Sequence, residues 1–156
     1  MTQINFVIDK QKLEARLSRV FNAPPERLFE AYTNPEQIPH WWGPRELTTV
    51  VDTLDLRVGG KWRFVQKDSN GEEYAFRGEY TEIDRPRRLT YTFEFEPMAG
   101  HVLTESVTFE PTAEGKTSVL SVATFANLED LEGMAAANME AGAREGYERL
   151  AELTEA

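Results

Sequence analysis

Arg88-Leu89-Thr90-Tyr91-Thr92-Phe93-Glu94-Phe95-Glu96 alternates without a break. Leu89, Tyr91, Phe93 and Phe95 share one parity, and Thr90, Thr92 and Glu94 share the other. Successive side chains of a strand point to opposite faces, so this segment has one apolar and one polar face. Such one-sidedness belongs to an antiparallel sheet with a core on one side and water on the other. The same period runs from Glu46 onward and predicts strands near 46–57, 60–67, 73–83, 88–96, 102–110 and 117–125. Turn chemistry separates them: Gly59-Gly60 and Asn70-Gly71 suit tight hairpins, and Asp84-Arg85-Pro86, Ala99-Gly100 and Glu114-Gly115 are looser turn signals.

Outward from this meander, 13–21 reads as a first strand ending at Phe21, which makes about seven strands. Pro24-Pro25 opens a short helix with Leu28, Phe29 and Tyr32 on its apolar face. Asn34-Pro35-Glu36-Gln37 predicts a second short helix, capped by Asn34 and stopped by Pro39 and Gly43-Pro44. Helical spacing returns from Leu128 to Leu153, with Asn127 as the N-cap and Glu129 and Asp130 complementing the helix dipole. Gly142 and Gly146 inside that helix each cost about 0.8–1 kcal/mol relative to Ala, which predicts a close approach to the sheet or to a bound molecule. These elements define an α+β class: a curved antiparallel sheet around a long C-terminal helix, with two short helices after the first strand, as one domain over 1–156.

Composition removes several functions. With 17 basic against 27 acidic residues the net charge is −10, which disfavours nucleic acid and anionic lipid surfaces. The one basic cluster, Arg85-Pro86-Arg87-Arg88, reads as a solvated turn. No apolar run approaches the ~20 residues of a membrane span, so no membrane insertion is expected. The opening residues carry scattered charges and no export signal, and there is no cysteine; the expected location is the cytoplasm. The two histidines, His40 and His101, stand in no metal-ligating spacing, and no nucleotide-binding or nucleophile motif occurs. No metal, cofactor or catalytic residue set is therefore predicted.

The candidate site lies on the apolar face of the sheet. Trp62 and Phe64 share a side on one strand, Phe76, Gly78 and Tyr80 on the next, and Tyr91 and Phe93 on the next again. These rings either fill a plain core or line a cavity in which a few polar groups orient a ligand. Trp41 and Trp42, between Pro39 and Pro44, either gate such a cavity or anchor their segment, and Met139 and Gly142 face it from the helix. Glu105 shares parity with Leu103, Val107 and Phe109 and so points inward. It is then a buried acid for recognition or acid–base work, a sheet-end residue reaching water, or the partner of an inward Arg.

Four stretches carry a resemblance: Ala23-Pro24-Pro25-Glu26-Arg27-Leu28-Phe29; Pro39-His40-Trp41-Trp42-Gly43-Pro44; Leu54-Asp55-Leu56-Arg57-Val58-Gly59-Gly60-Lys61-Trp62; and Gly78-Glu79-Tyr80 with Ile83-Asp84-Arg85-Pro86. Together they resemble the bacterial homologues of the activator of Hsp90 ATPase, in the START-like (SRPBCC) superfamily. The resemblance implies a helix-grip fold with a deep cavity between sheet and C-terminal helix. It also implies three functions. The leading one is noncatalytic binding of a small hydrophobic or amphipathic molecule. The second is a cyclase- or hydrolase-type reaction using Tyr80, Tyr91, Glu105 or His101. The third is a co-chaperone-like contact with an Hsp90-type chaperone, expected to be weak for one such domain. A homodimer is compatible with all three.

Overall fold

The computed structural model describes residues 3–155. A hairpin of β1 (Asn5–Asp9) and β2 (Glu14–Phe21) opens the chain, followed by α1 (Pro25–Thr33) and a 3₁₀ turn (Ile38–His40). A six-strand meander follows: β3 (Thr48–Leu54), β4 (Lys61–Lys67), β5 (Glu73–Asp84), β6 (Arg88–Phe95), β7 (Val102–Pro111) and β8 (Thr117–Thr124). Two helices, α2 (Leu128–Ala136) and α3 (Met139–Thr154), complete the order. The sheet is antiparallel throughout in the order β1-β2-β8-β7-β6-β5-β4-β3. The crossover through α1 thus carries the chain from one side of the sheet to the far edge, and the meander returns until β8 pairs with β2. Register shifts at Val51/Thr53 and Tyr80/Glu82 mark bulges, which bend and twist the sheet.

Among the described residues the sheet has eight strands, the expected seven and β1 beside them. Ile4, Phe6 and Ile8 pack toward the core while Val7 is exposed, a short alternation that the charges around it obscure. The predicted long helix is two helices: Asn138 adopts a left-handed conformation (φ 67°), one that Asn tolerates better than most residues, and breaks the run. Asn127 caps α2 as expected, its Oδ1 accepting from Asp130 N at 2.8 Å. The expected second short helix is only the Ile38–His40 turn. Asn34 Oδ1 accepts from Glu36 N in a local turn, and Gln37 Oε1 accepts from Arg27 instead of closing a capping box.

The core lies on the concave face, where Phe21, Phe109, Val107, Val119 and Leu89 meet Leu28 and Phe29 of α1 and Leu150 of α3. Phe109 takes Phe29 and Tyr32 edge-on, at 5.7 and 5.2 Å between centroids. The C-terminal half of α3 buries Gly146, Tyr147, Leu150, Ala151 and Thr154, whereas Met139 to Glu145 are exposed or only partly covered. Neither glycine of this helix marks the expected close approach: Gly146 is buried, but a Cβ there would stand 4.0 Å from the Trp41 carbonyl, an ordinary contact, and Gly142 is exposed and a Cβ there meets nothing.

Gly78 is the tight position of the sheet. A Cβ on it would fall 1.9 Å from the Thr92 carbonyl oxygen and 2.5 Å from Trp62 Nε1. Neither the paired backbone nor the buried indole can retreat, so Gly78→Ala is expected to destabilise the protein by about 1–3 kcal/mol. Gly142→Ala, which gains helix propensity in open space, is expected to stabilise it by up to about 1 kcal/mol. Denaturant melts of the two variants against the parent check both signs.

Candidate functional site

The concave face divides into a closed part and an accessible part. In the closed part Trp62, Phe64 and Tyr80 retain only 3%, 5% and 3% of their surface, and Tyr32 and Trp41 are also buried. Trp41 Nε1 donates to the Ala31 carbonyl at 2.8 Å and its ring lies 4.6 Å from Tyr32. These rings, with Trp42, Leu89 and Tyr91, surround a void of about 20 Å³. That is room for one water molecule. Here close packing prevails, and the deep cavity expected from the sequence is nearly filled by side chains. The Trp62 N–H lies over Gly78 without an acceptor.

The accessible part follows the central strands. Phe76, Tyr91, Phe93, Glu105 and Ala123 face the helix side by register, yet each keeps surface open to water, as do Trp42 and Met139 at the edges. The reason is the position of α3, whose main contacts are β2, α1, α2 and the Ile38–His40 turn rather than β6 and β7. The rings form a continuous wall. Phe93 lies 5.4 Å from Phe76 and 6.0 Å from Trp62, Trp62 lies 5.9 Å from Tyr91, and Trp42 meets Phe64 and Phe76 edge-on at 5.1 and 5.2 Å.

The segment from Trp41 to Arg45 is strapped to α3. Arg149 donates to the carbonyls of Gly43 and Pro44 at 2.7 and 3.3 Å, and the Arg45 guanidinium engages both oxygens of Glu152. The two tryptophans thus separate in role: Trp41 anchors in the core, and Trp42 borders the accessible part.

Glu105 stands at the centre of a polar string through this apolar surface. Directly opposite it on β6, the Tyr91 hydroxyl donates to Glu105 Oε1 at 2.5 Å. The Ser121 hydroxyl lies beside both Glu105 and Tyr147, and the Tyr32 hydroxyl donates to the Tyr147 hydroxyl at 3.2 Å. Protein atoms surround Glu105 closely, yet part of its surface remains accessible. Burial raises its pKa, and the donors Tyr91 and Ser121 offset this only in part; no basic side chain contributes. Burial pushes the phenols of Tyr32, Tyr91 and Tyr147 up, and the Glu105 charge adds to each, so all three remain protonated donors at neutral pH.

The inward arginine foreseen as a partner exists in Arg19, but it is committed elsewhere. Its guanidinium lies 4.7 Å over the Phe21 ring, donates to the Tyr147 carbonyl at 3.3 Å and meets Glu155 at 3.6 Å. His101 is also outside the site: its Nδ1 is 2.8 Å from Asp130 Oδ1, tying the β6–β7 connection to α2. His40 is exposed. Among the described residues no group of three or more His, Asp or Glu could hold a metal ion. Gly142 does not join the site, because the break at Asn138 resets the helix and turns this position to solvent. Tyr32, Tyr147 and Ser121 are site residues that the sequence reading passed over. Ser121 shares the parity of Val119 and Ala123, and Tyr147 begins the buried spacing Tyr147, Leu150, Ala151, Thr154.

A curved antiparallel sheet gripping a C-terminal helix, with an accessible concave face, defines a START-like protein. The chain belongs to the family described as Activator of Hsp90 ATPase homolog 1-like protein, whose model matches residues 22–155. A crystal structure of a Mycobacterium smegmatis protein is 26% identical with a TM-score of 0.86, over 97% of this chain and 96% of that one. A solution structure of an Arthrobacter aurescens protein is also 26% identical, with a TM-score of 0.90 over 97% and 91%. A protein of the dynemicin biosynthetic locus, 21% identical over 92% of this chain and 47% of its own, shares the fold with a TM-score of 0.71. No curated protein matches the sequence.

The raised pKa of Glu105 fixes the sign of one stability effect. The folded protein holds this proton more tightly than the unfolded chain, so the group's contribution is most favourable at low pH. It declines as pH rises from the unfolded carboxylate pKa, about 4.3, through the folded one. Glu105→Gln keeps an oxygen acceptor for Tyr91 and removes the titration. It is expected to be more stable than the parent at neutral pH, with the difference vanishing below about pH 4. Denaturant melts across a pH series measure this, and a parent more stable than the variant at neutral pH would contradict it.

Proposed function

We propose that this protein binds a small hydrophobic or amphipathic molecule, without chemical conversion, between the central strands and the C-terminal helix. The observation that carries the reading is the accessibility of Phe76, Tyr91, Phe93, Glu105 and Ala123 on a face that is otherwise closed. The apolar part of a ligand rests on Phe93, Phe76, Trp42 and Met139, and its polar end reaches Glu105 and Tyr91. The void of about 20 Å³ beside Tyr91 is too small for this by itself. Binding therefore uses the accessible side, beside the partly covered first turns of α3. The family's fold is commonly one of ligand binding, which supports the reading. No described helix is long and apolar enough to cross a membrane.

One observation favours a second reading, an enzyme of the cyclase or hydrolase kind. Tyr91 gives Glu105 a second titratable group at hydrogen-bond distance, and a carboxyl of raised pKa beside a phenol is able to act as an acid–base group. A co-chaperone role has less support. The exposed large apolar side chains, such as Val7, Val50, Val58 and Met98, come from both sheet edges and from turns rather than from one element.

A neutral fluorescent probe, N-phenyl-1-naphthylamine, is expected to bind the native protein saturably and raise its melting temperature. Ligand restricted to the native state stabilises it by about 2.7 kcal/mol at a hundredfold excess over Kd. Ala123→Leu, which places volume beside Glu105, should weaken the probe more than it weakens folding, because a cavity absorbs added volume that a packed core does not. Probe binding confined to partly unfolded protein, or Ala123→Leu costing stability with the probe unaffected, would show a filled core instead.

A further inference from the structure

Resting on the reading above, we propose that the ligand is cationic: an amphipathic amine or other organic ammonium whose charged head pairs with Glu105 and whose apolar part lies on the aromatic wall. The charge pattern of the concave face points this way. Glu105 is held by two neutral hydroxyls, Tyr91 and Ser121, and among the described residues by no cation. A carboxylate has about four acceptor sites, so two donors leave capacity for an N–H⁺ group.

Among the described residues, the arginines close to the site are engaged elsewhere. Arg19 serves Glu155 and the Tyr147 carbonyl, Arg149 serves the Gly43 and Pro44 carbonyls, and Arg144 serves Glu140 and the Ile4 carbonyl. An ammonium ligand would supply the counter-charge that the fold itself withholds, and pairing a buried carboxylate removes a penalty that a neutral ligand leaves in place.

The walls suit the same chemistry. Tyr91, the packed Trp62, Phe93 and Phe76 succeed one another in that order at centroid separations of 5.9, 6.0 and 5.4 Å. A cation resting on the accessible side of Tyr91 or Phe93 would lie within the ~6 Å at which a ring face attracts it. The hydroxyls of Tyr91, Tyr32 and Tyr147 add oxygen lone pairs. The converse excludes an anionic head: a carboxylate or phosphate would face Glu105 with no positive group to receive it, which is specificity by repulsion. The net charge of −10 acts in the same direction on approach.

Octylammonium, 1-octanol and octanoate share one chain and differ in head charge, so calorimetric titration of the intact protein at neutral pH separates the effects. Octylammonium is expected to bind about tenfold or more tighter than octanol, with octanoate weakest. Glu105→Gln should abolish the ammonium preference, bringing the octylammonium and octanol affinities of the variant within about threefold of each other. Glu105→Asp, which keeps the charge, should keep octylammonium the best of the three. Octanol or octanoate binding as well as the amine, or Glu105→Gln retaining the preference, overturns the cationic assignment and leaves the binding cavity standing. Failure of all three to bind overturns both.

Discussion

Eight strands at their usual spacing make a sheet about 34 Å across, and a helix with its side chains is only about 10–12 Å wide. One helix cannot cover the apolar face of such a sheet. The mismatch shapes the rest of the molecule. The sheet bends at the bulges in β3 and β5, α1 and the Ile38–His40 turn cover the part near β7 and β3, and the second half of α3 covers the part near β2. What remains uncovered is the middle, where β6 and β7 present Tyr91, Phe93 and Glu105. The site is the portion of the core that the helices do not reach.

The legible features of the sequence are those fixed by local period. Strand parity places Tyr91, Phe93, Phe76, Trp62 and Glu105 on one face, as the register shows. Parity gives direction but not depth, so it could not separate the packed rings Trp62, Phe64 and Tyr80 from the accessible Tyr91 and Phe93. Depth depends on where α3 settles, which is a long-range matter. The same limit explains Gly142 and Gly146. Helical spacing runs without visible interruption through Ala137 and Asn138, but one left-handed residue changes the axis, and the inward stripe restarts with the partly covered Met139 and Ala143 and the buried Gly146, Tyr147 and Leu150. The eighth strand was missed for a different reason. With only Phe6 and Ile8 as its inward set, β1 is five residues long and pairs on one side, so its sequence signal is short.

The polar string is the least legible part because its members come from five elements. Tyr32 belongs to α1, Tyr91 to β6, Glu105 to β7, Ser121 to β8 and Tyr147 to α3. Each alone reads as an ordinary amphipathic position; only tertiary packing brings their hydroxyls into one chain of contacts. That chain ties both helices to the central strands by directional bonds, in an interior otherwise held by non-directional burial. A displacement of Glu105 by a bound head group would therefore be felt at Ser121, and through Tyr147 and Tyr32 at the two helices that flank the cavity.

Glu105 is also the costly choice at its position. A Gln there would offer Tyr91 the same acceptor without a charge to desolvate, and an apolar residue would extend the surface of Leu103 and Val107. Stability by itself favours either. A local departure from what the fold prefers, set beside aromatic rings and kept partly open to water, is where function is expected to reside. The packed rings around Trp62 explain the fold at the cost of one indole N–H without an acceptor; the Glu105 carboxylate brings a charge as well, and under the proposed binding role a ligand able to compensate that charge is the simplest account of why an accessible apolar face carries it.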